Sequence, residues 1–326
     1  MTVGPGGIAA AWYRGAWWLW LLRPLELVFR IVAAARRRCY RHGFCSTYRA
    51  DKPVVVVGNI TVGGTGKTPI VIALVEALQG AGLRPGVVSR GYGATPGEFP
   101  RRVSAASSAG DCGDEPLLIF RRTGCPCVIS PDRPAAVREL LAQADVDIVI
   151  SDDGLQHYAL ERDMEIVVMD KDAGLGNGFC LPAGPLREPR SRLAEVDQVL
   201  YRGSEDPADG VSYRIEGLVN LVNGERRGLD PADFPDGVVA LAGIGRPQQF
   251  FNTLQDLGLQ LETRVFPDHH AYLAADFADL QSRPLIMTEK DAVKCQALVG
   301  DNAWYLRISA VLPDSLVSRV VTLARP

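Results

Sequence analysis

The tryptophan-rich stretch over residues 8–35 lacks a long apolar run. The longest uncharged run in that stretch covers only residues 15–22, and Arg23 and Pro24 interrupt it. A membrane-spanning helix needs about 20 consecutive apolar residues. No cleavage site of small residues follows the run cleanly, so we expect neither a transmembrane helix here nor a secretory signal.

A strong net charge is also missing, since the 326 residues carry a formal net charge of −3. This value argues against a nucleic-acid-binding surface over the whole molecule, and we expect no nucleic-acid partner. The average conceals an asymmetry. Residues 1–52 contain nine Lys or Arg and two Asp or Glu, about +7 net, which leaves about −10 for the remainder.

Cysteine is scattered and odd in number, with seven residues in the chain. Cys125 and Cys127 are too close together for a usual zinc knuckle. The pattern does not indicate a disulfide framework, and we expect reduced thiols in a cytosolic protein, mostly in its core.

Tryptophan is concentrated near the N-terminus, where four of the five fall: Trp12, Trp17, Trp18 and Trp20. The arginines at positions 36, 37, 38 and 41 close this segment. Apolar tryptophan-rich faces flanked by arginine are typical of a helix lying in the membrane interface, on the anionic cytoplasmic side. The alternative is a helix packed on the protein's own core.

From residue 53 onward, apolar strand candidates alternate with helical stretches. The candidates in the first half are 53–57, 85–89, 127–130, 147–151, 164–170 and 198–201. This rhythm predicts an α/β fold with a mostly parallel sheet covered by helices on both faces. Ligands bind such sheets at the carboxyl ends of the strands.

A β-hairpin is predicted over residues 219–229, with Asn223 and Gly224 at its turn. The α/β rhythm then restarts with strands at 238–241, 260–266 and 284–288 and helices around 248–257 and 272–280. We therefore predict an N-terminal segment (1–50), a phosphate-loop domain (51–210), a hairpin linker (211–235) and a second, smaller α/β domain (236–326).

A glycine-rich turn followed by Gly66, Lys67 and Thr68 joins the first strand to a helix, which is the context of a phosphate-binding loop. Its glycines would let backbone N–H groups face one anion at the positive end of the helix. Lys67 would reach the β- and γ-phosphates, and the Thr68 hydroxyl would ligate Mg²⁺. The predicted nucleotide-binding residues are Thr61, Val62, Gly63, Gly64, Thr65, Gly66, Lys67 and Thr68. Thr61 stands where the usual pattern has glycine, and the alternative is a turn that binds nothing.

Polar clusters follow several predicted strands. Asp152 and Asp153 end an apolar strand, as in the Walker B arrangement that places a carboxylate on or near Mg²⁺, and Asp170 is a rival candidate. Asp114 and Glu115 open a predicted helix. An acidic pair there is often only a helix cap, and the functional alternative is a base or a metal-associated acid.

Further clusters contain basic residues near predicted strand ends. Arg90 lies in a glycine turn after a strand, and Arg187 lies in a loop too rich in Gly and Pro to be a helix. Asp268 and His269 join a strand to a helix in the second domain and could be an ordinary cap. Gly243 and Gly245 lack the third glycine of a dinucleotide fingerprint, because Gln248 stands there, which argues against NAD.

Taken together, these motifs resemble the tetraacyldisaccharide 4′-kinase family, the lipid A 4′-kinases of Gram-negative bacteria, over nearly the whole chain. The resemblance rests on eight stretches in order: 58–69, 89–93, 113–116, 152–157, 184–188, 242–247, 268–269 and 287–294. It implies transfer of the ATP γ-phosphate to the 4′-hydroxyl of a tetraacylated glucosamine disaccharide 1-phosphate. It also implies two α/β domains joined by a hairpin with the site between them, and a phosphate loop that departs from the common consensus as this one does.

The resemblance also implies roles for individual residues. Asp114 is the candidate base, with His269 as its partner across the cleft once the domains close. Lys67 and Asp152 complete the catalytic set, and Mg²⁺ would be held by Thr68, Glu115 and one of Asp152 or Asp153. The candidate contacts to substrate or phosphate are Arg90, Arg187 and Asn177.

The expected cofactors are ATP and Mg²⁺, and the expected partners are the acylated glycolipid and the cytoplasmic face of the bacterial inner membrane. No obligatory protein partner is evident. A competing class is a membrane-tethered regulatory or chaperone-like nucleotidase, which would leave Asp268 and His269 without a role. A guanine-specific Asn-Lys-x-Asp element is absent. A non-catalytic membrane scaffold would not need Gly-Lys-Thr.

Overall fold

The computed structural model describes residues 7–64, 66–280 and 283–325. Its strands, in chain order, are β1 Val54–Gly58, β2 Pro85–Ser89, β3 Arg101–Arg102, β4 Cys127–Ile129, β5 Ile148–Asp152, β6 Met164–Asp170, β7 Gln198–Arg202, β8 Gly210–Asn220, β9 Arg226–Arg227, β10 Val238–Ala242, β11 Leu261–Val265, β12 Leu285–Thr288 and β13 Ala303–Val311. The α-helices are α1 Ile8–Arg14, α2 Arg23–Arg41, α3 Lys67–Gly80, α4 Ala109–Cys112, α5 Asp114–Thr123, α6 Arg133–Gln143, α7 Pro247–Asp256, α8 Glu289–Cys295 and α9 Asp314–Ala324. Short 3-10 helices lie at Trp17–Leu22, Arg190–Ala194, Pro231–Asp233 and Ala274–Phe277.

One sheet runs through the molecule in the order β11-β10-β12-β13-β8-β7-β6-β1-β5-β2-β4-β3, with β9 paired to β8. Neighbouring strands are parallel except at the pairs β13–β8, β8–β9 and β3–β4. The predicted α/β class with a mostly parallel sheet is therefore confirmed. The carboxyl end of β1 lies between those of β6 and β5, so the polar clusters after these strands meet at one edge.

The two parallel parts of the sheet meet at β8 and β13, which pair antiparallel over nearly their whole length. Leu218 and Val219 of β8 also pair with Arg227 and Arg226, so the chain turns back near the predicted hairpin. Two strands differ from the sequence prediction. β8 already begins at Gly210, and β13 was not predicted. The domain boundaries stay a prediction, since the sheet is continuous across them.

Alternating side chains of β1 fill cores on both faces of the first part of the sheet, as expected for a strand buried on both sides. Val55 and Val57 pack on the face covered by α3, α5 and α9. Val54 and Val56 face the other side, where α6 packs. The second part of the sheet likewise has an apolar cluster on each face. This packing holds the loop after β1 at a fixed edge of the sheet.

The N-terminal segment, residues 8–41, packs partly on the protein and exposes much of its apolar surface. Trp12 and Leu19 are buried, whereas Trp17 is 76% and Leu21 is 72% exposed. In the part of the chain that the structure describes, none of the helices has both the length and the apolar character of a membrane span. One side of the segment therefore packs on the protein and another is left exposed, and its contact with a membrane stays a prediction.

One predicted helix is wrong. Around residues 272–280 the chain forms only the 3-10 helix Ala274–Phe277. Asp276 accepts the Leu273 N–H at 2.9 Å and contacts His270 Nε2 at 3.0 Å. These local bonds close a short turn, while Phe277 and Leu280 are buried as core anchors.

Candidate active site

A cavity of about 2060 Å³ lies where both parts of the sheet, α2 and the loop after β1 meet. Its walls include apolar side chains of α2, and also Lys67 and Asp152. From the second half of the chain, His269 follows β11 and Lys290 follows β12. A typical small-molecule site is roughly 300–1,000 Å³, so this cavity has room for more than one such ligand.

The loop between β1 and α3 is held by backbone bonds rather than left free. The Val62 N–H donates to the Pro185 carbonyl at 2.8 Å, and the Arg187 N–H donates to the Ile60 carbonyl at 2.7 Å. Gly63 and Gly66 have φ of 107° and 72°, a region that favours glycine. Lys67 therefore starts α3 directly after the turn, where the positive end of the helix faces the cavity. Thr65 lies outside the described residues.

The two adjacent aspartates after β5 have different surroundings. Asp153 Oδ1 lies 3.3 Å from Lys67 Nζ, and its Oδ2 lies 3.4 Å from Arg187 Nη1. Burial alone would raise the pKa of Asp153, but Lys67 and Arg187 hold it at about 2. Asp153 therefore stays ionised and orients both cations toward the cavity.

Asp152 is buried more deeply, and only one of its carboxylate oxygens is satisfied. Ser89 Oγ donates to Oδ2 at 3.1 Å, whereas Oδ1 has no hydrogen-bond partner among the described residues. Burial, followed by the nearby charge of Glu115, raises the pKa of Asp152 to about 7, although Lys67 opposes the shift. A cation beside Oδ1 would relieve this cost and favour the ionised form.

Mg²⁺ fits this environment. It prefers oxygen ligands and usually keeps water and substrate phosphates in its shell, and Asp152 supplies an unpaired oxygen beside the phosphate loop. Thr68, the second residue of α3, is buried at the same loop. Within 7–64, 66–280 and 283–325, no three His, Cys, Asp or Glu side chains cluster to hold a metal alone. Phosphate and water oxygens would therefore have to complete the shell.

Asp114 and His269 are in contact at the wall of the cavity, which His269 lines and behind which Asp114 is buried. His269 Nδ1 lies 3.1 and 3.0 Å from the two carboxylate oxygens of Asp114. Asp114 starts α5 after Gly113, where an added Cβ would lie 2.4 Å from the Tyr92 carbonyl oxygen, so only glycine fits this approach. A dependence of the contact on domain closure stays a prediction.

The charges of this pair are set by their surroundings. Burial alone would raise the pKa of the Asp114 carboxyl, but the hydrogen bond from His269 and the charge of Lys290 hold it below its usual value. Burial would lower the pKa of His269, yet the bond to Asp114 raises it. The Tyr92 ring lies 4.8 Å from the His269 ring, centre to centre, and is tilted against it by 59°.

Lys290 lies in the stretch 287–294, which contributes to the family resemblance, but the sequence predicted no role for it. Its ammonium lies within 3.2 Å of Glu115 Oε1 and of Asp268 Oδ1. Arg133 was also missed. This fully buried guanidinium donates to the carbonyls of Ser130 and Asp152 at 2.6 and 3.1 Å, and so supports the end of β5 from below. A lysine in the first turn of a helix, where a cation is unfavourable, was the one available signal for Lys290.

The remaining candidates are placed differently. Arg90 and Arg187 line the cavity. Asn177 does not, because its side chain donates to the Ala183 carbonyl at 2.8 Å and accepts from the Phe179 N–H inside its own loop. We do not carry Asn177 forward as a substrate contact. Asp170 Oδ2 pairs with Arg202 and, at 2.6 Å, with Arg246, and its Oδ1 accepts the Ala173 N–H at 2.8 Å, so Asp170 lacks the unpaired oxygen of Asp152.

Known proteins resemble this chain over nearly its whole length. A family model described as tetraacyldisaccharide-1-P 4′-kinase matches residues 18–325. A tetraacyldisaccharide 4′-kinase of Pseudomonas aeruginosa strain LESB58 is 53% identical over 316 residues, covering 95% of both chains. One from Azotobacter vinelandii is 55% identical over 306 residues, covering 92% of this chain and 91% of its own. Among solved structures, the "apo" form of LpxK from Aquifex aeolicus in complex with ATP has a TM-score of 0.79 at 25% identity, covering 94% of this chain and 99% of that one.

Proposed function

The chain belongs to the tetraacyldisaccharide-1-P 4′-kinase family, and from that membership and the geometry of the cavity we propose roles for its residues. It is an ATP-dependent kinase that phosphorylates the 4′-hydroxyl of a tetraacylated glucosamine disaccharide 1-phosphate in lipid A biosynthesis. The observation that best supports the mechanism is that Lys67 and His269, which contacts Asp114, line the same cavity.

ATP binding is assigned to the loop over residues 61–68. Its backbone N–H groups and the start of α3 would cradle the phosphates, and Lys67 would neutralise charge on the transferred group. Asp153 keeps Lys67 and Arg187 on the same side, so Arg187 is available to a phosphate of the nucleotide or of the lipid. Arg90, exposed on the cavity wall, is a second such residue.

Asp114 is assigned as the base. As the 4′-oxygen forms its bond to the γ-phosphorus, the bond from that phosphorus to the bridging oxygen breaks and ADP leaves with those electrons. The hydroxyl proton passes to Asp114. A carboxylate of low pKa is a weak base, so it receives the proton late, when the hydroxyl has become acidic by bonding to phosphorus. His269 orients this carboxylate.

Mg²⁺ is assigned to Asp152 and Thr68, with Glu115 acting through water. When bound, the metal would neutralise charge on the phosphates. The structural support is that Oδ1 of Asp152 has neither a hydrogen bond nor an ion pair among the described residues, whereas Oδ1 of Asp153, which also lacks a hydrogen bond, faces Lys67 Nζ at 3.3 Å.

The N-terminal segment is assigned to the membrane surface. Its exposed apolar residues and its arginines suit the interface of an anionic leaflet, and they support a location on the cytoplasmic face of the inner membrane. Leu27, Ile31 and Val32 of α2 also line the cavity, so an acylated substrate could reach the site without leaving that surface. We propose no obligatory protein partner.

The direct test supplies γ-labelled ATP and a tetraacyl disaccharide 1-phosphate in mixed micelles. One labelled phosphate should appear on the lipid, and ATP consumption should depend on the lipid. The matched control is the same lipid with its 4′-hydroxyl methylated, which should abolish both. Equal ATP hydrolysis with and without acceptor would instead favour the nucleotidase class, which the comparisons do not favour.

A further inference from the structure

Three segments meet at the side chain of Lys290. Asp114 and Glu115 come from the start of α5, and Asp268 and His269 come from the loop after β11. Lys290 is the second residue of α8 and is only 18% exposed at its side chain. It therefore lies between the two parts of the sheet, beside the pair that handles the acceptor proton.

The hydrogen-bonding capacity of Lys290 matches its surroundings. An ammonium group has three donors and no acceptor. Nζ lies 3.2 Å from Glu115 Oε1, 3.2 Å from Asp268 Oδ1 and 3.4 Å from His269 Nε2. These three partners use all three donors, so none remains for a phosphate. Asp114, at 3.8 Å, experiences the charge without a direct bond.

The position of Lys290 is imposed by the fold. Asp291, fully buried, accepts bonds from the Gly243 N–H at 2.9 Å and from the Tyr272 hydroxyl at 3.0 Å. It also contacts the Thr288 hydroxyl at 2.7 Å, which fixes the first turn of α8. A cation in the first turn of a helix is electrostatically unfavourable, and here the surrounding carboxylates offset that cost.

We propose that Lys290 is a positioning residue for phosphoryl transfer. Its ammonium donates a hydrogen bond to Nε2 of His269, and the ring thereby presents its Nδ1–H to Asp114. A neutral imidazole has one donor and one acceptor nitrogen. If Nε2 accepts from Lys290, Nδ1 carries the proton and donates to Asp114. His269 then has no free lone pair for the substrate, so the acceptor proton goes to Asp114. This inference rests on the proposed function.

The kinetic test compares Lys290→Met, which removes the charge at similar length, with Lys290→Arg, which keeps the charge. Lys290→Met should lower kcat about 100-fold by misplacing the pair, with the KM for ATP unchanged. Lys290→Arg should recover part of that loss. The control is Lys171→Met, the same change at an exposed lysine outside the cavity, which should behave as wild type. In a His269→Ala background, Lys290→Met should cost little more.

A spectroscopic test needs no turnover. With ¹⁵N-histidine labelling, at a pH where the ring is neutral, the unprotonated Nε2 of His269 should show the upfield shift of a nitrogen that accepts a hydrogen bond. Lys290→Met should move that resonance downfield, while Nδ1 remains protonated. The His269 signal is assigned by its loss in His269→Gln.

Two results would overturn the proposal: an unchanged Nε2 resonance in Lys290→Met, or a raised KM for ATP with normal kcat, which would make Lys290 a nucleotide ligand. Neither touches the kinase function. That function fails only if the wild-type protein transfers no phosphate to the lipid, an outcome that leaves the spectroscopic result readable.

Discussion

The backbone N–H of Val62 donates a 2.8 Å hydrogen bond to the carbonyl of Pro185, which ties the phosphate loop to the Gly/Pro-rich loop over residues 171–189. The same Gly/Pro-rich loop carries the N-terminal segment, because Trp12 Nε1 donates to the Pro182 carbonyl at 3.0 Å and Glu26 accepts the Cys180 N–H at 3.1 Å. The N-terminal segment and the proposed nucleotide site are therefore packed on one loop.

This arrangement separates two classes of residue in the N-terminal segment. Trp17→Ser and Leu21→Ser change exposed side chains, and each should weaken partition to anionic vesicles roughly 30-fold, because burying a large apolar side chain is worth about 2 kcal/mol. Vesicle sedimentation measures this, and the melting temperature should not change.

Trp12→Ala is the matched contrast, because Trp12 is buried and holds the Gly/Pro-rich loop. It should lower the melting temperature while leaving the exposed face intact. Wild-type vesicle binding by the Trp17 and Leu21 variants would mean that the exposed apolar face does not contact lipid.

A second prediction concerns Lys67. Lys67→Ala should lower kcat about 100- to 1,000-fold, because a charge that stabilises the transferred phosphoryl group is lost. Steady-state transfer of labelled phosphate to the lipid measures this. Near-normal turnover in a variant that still binds ATP would exclude the assigned role, and an unchanged melting temperature would show that the variant is folded.

Local sequence signals predicted the parts of this site that lie within one strand–turn–helix unit. β-Branched residues before the glycines predicted β1, and Gly66, Lys67 and Thr68 predicted the turn into α3 because the chemistry of phosphate binding requires them in that order. Asp152 was predictable in the same way, as a carboxylate at the end of an apolar strand.

The family resemblance implied the contact between Asp114 and His269, but the other contacts between distant segments were not predictable. Arg133 lies in an ordinary helix start, and only the folded chain shows that its guanidinium supports Asp152. Lys290 became interpretable once the fold brought α5 and α8 together. The bond from Asn177 to the Ala183 carbonyl was not predictable either, and a role of Asn177 in substrate binding stays a prediction.

A third prediction separates the two aspartates after β5. Asp152→Asn removes the negative charge of the carboxylate whose Oδ1 is unpaired. It should therefore raise the Mg²⁺ concentration needed for half-maximal rate and lower kcat. Asp153→Asn leaves Lys67 and Arg187 without their shared partner, so it should lower the rate with a smaller change in Mg²⁺ requirement.

The measurement is a Mg²⁺ titration of initial rate at saturating ATP for both variants. Equal shifts in the two Mg²⁺ curves would contradict the assignment of the metal to Asp152. A shift confined to Asp153→Asn would reverse it.

The last prediction concerns Asp114 and His269 as a unit. Both carboxylate oxygens of Asp114 face one ring nitrogen, so in the proposed mechanism His269 orients the base. Asp114→Ala and His269→Ala should each lower kcat by orders of magnitude with little change in ATP affinity. The double variant should be barely worse than the worse single one, since residues that act as one unit are strongly non-additive.

The cycle is read from kcat for lipid phosphorylation, with nucleotide binding measured separately to show that each variant is folded. His270→Ala is the matched control, because His270 contacts Asp276 in its own turn and no bond joins it to Asp114 among the described residues. Losses that multiply fully would place Asp114 and His269 in separate steps. If His269→Ala proved harmless, Asp114 would be held well enough by the Glu115 N–H at 3.0 Å and the charge of Lys290. The contact between Asp114 and His269 would then serve packing rather than phosphoryl transfer.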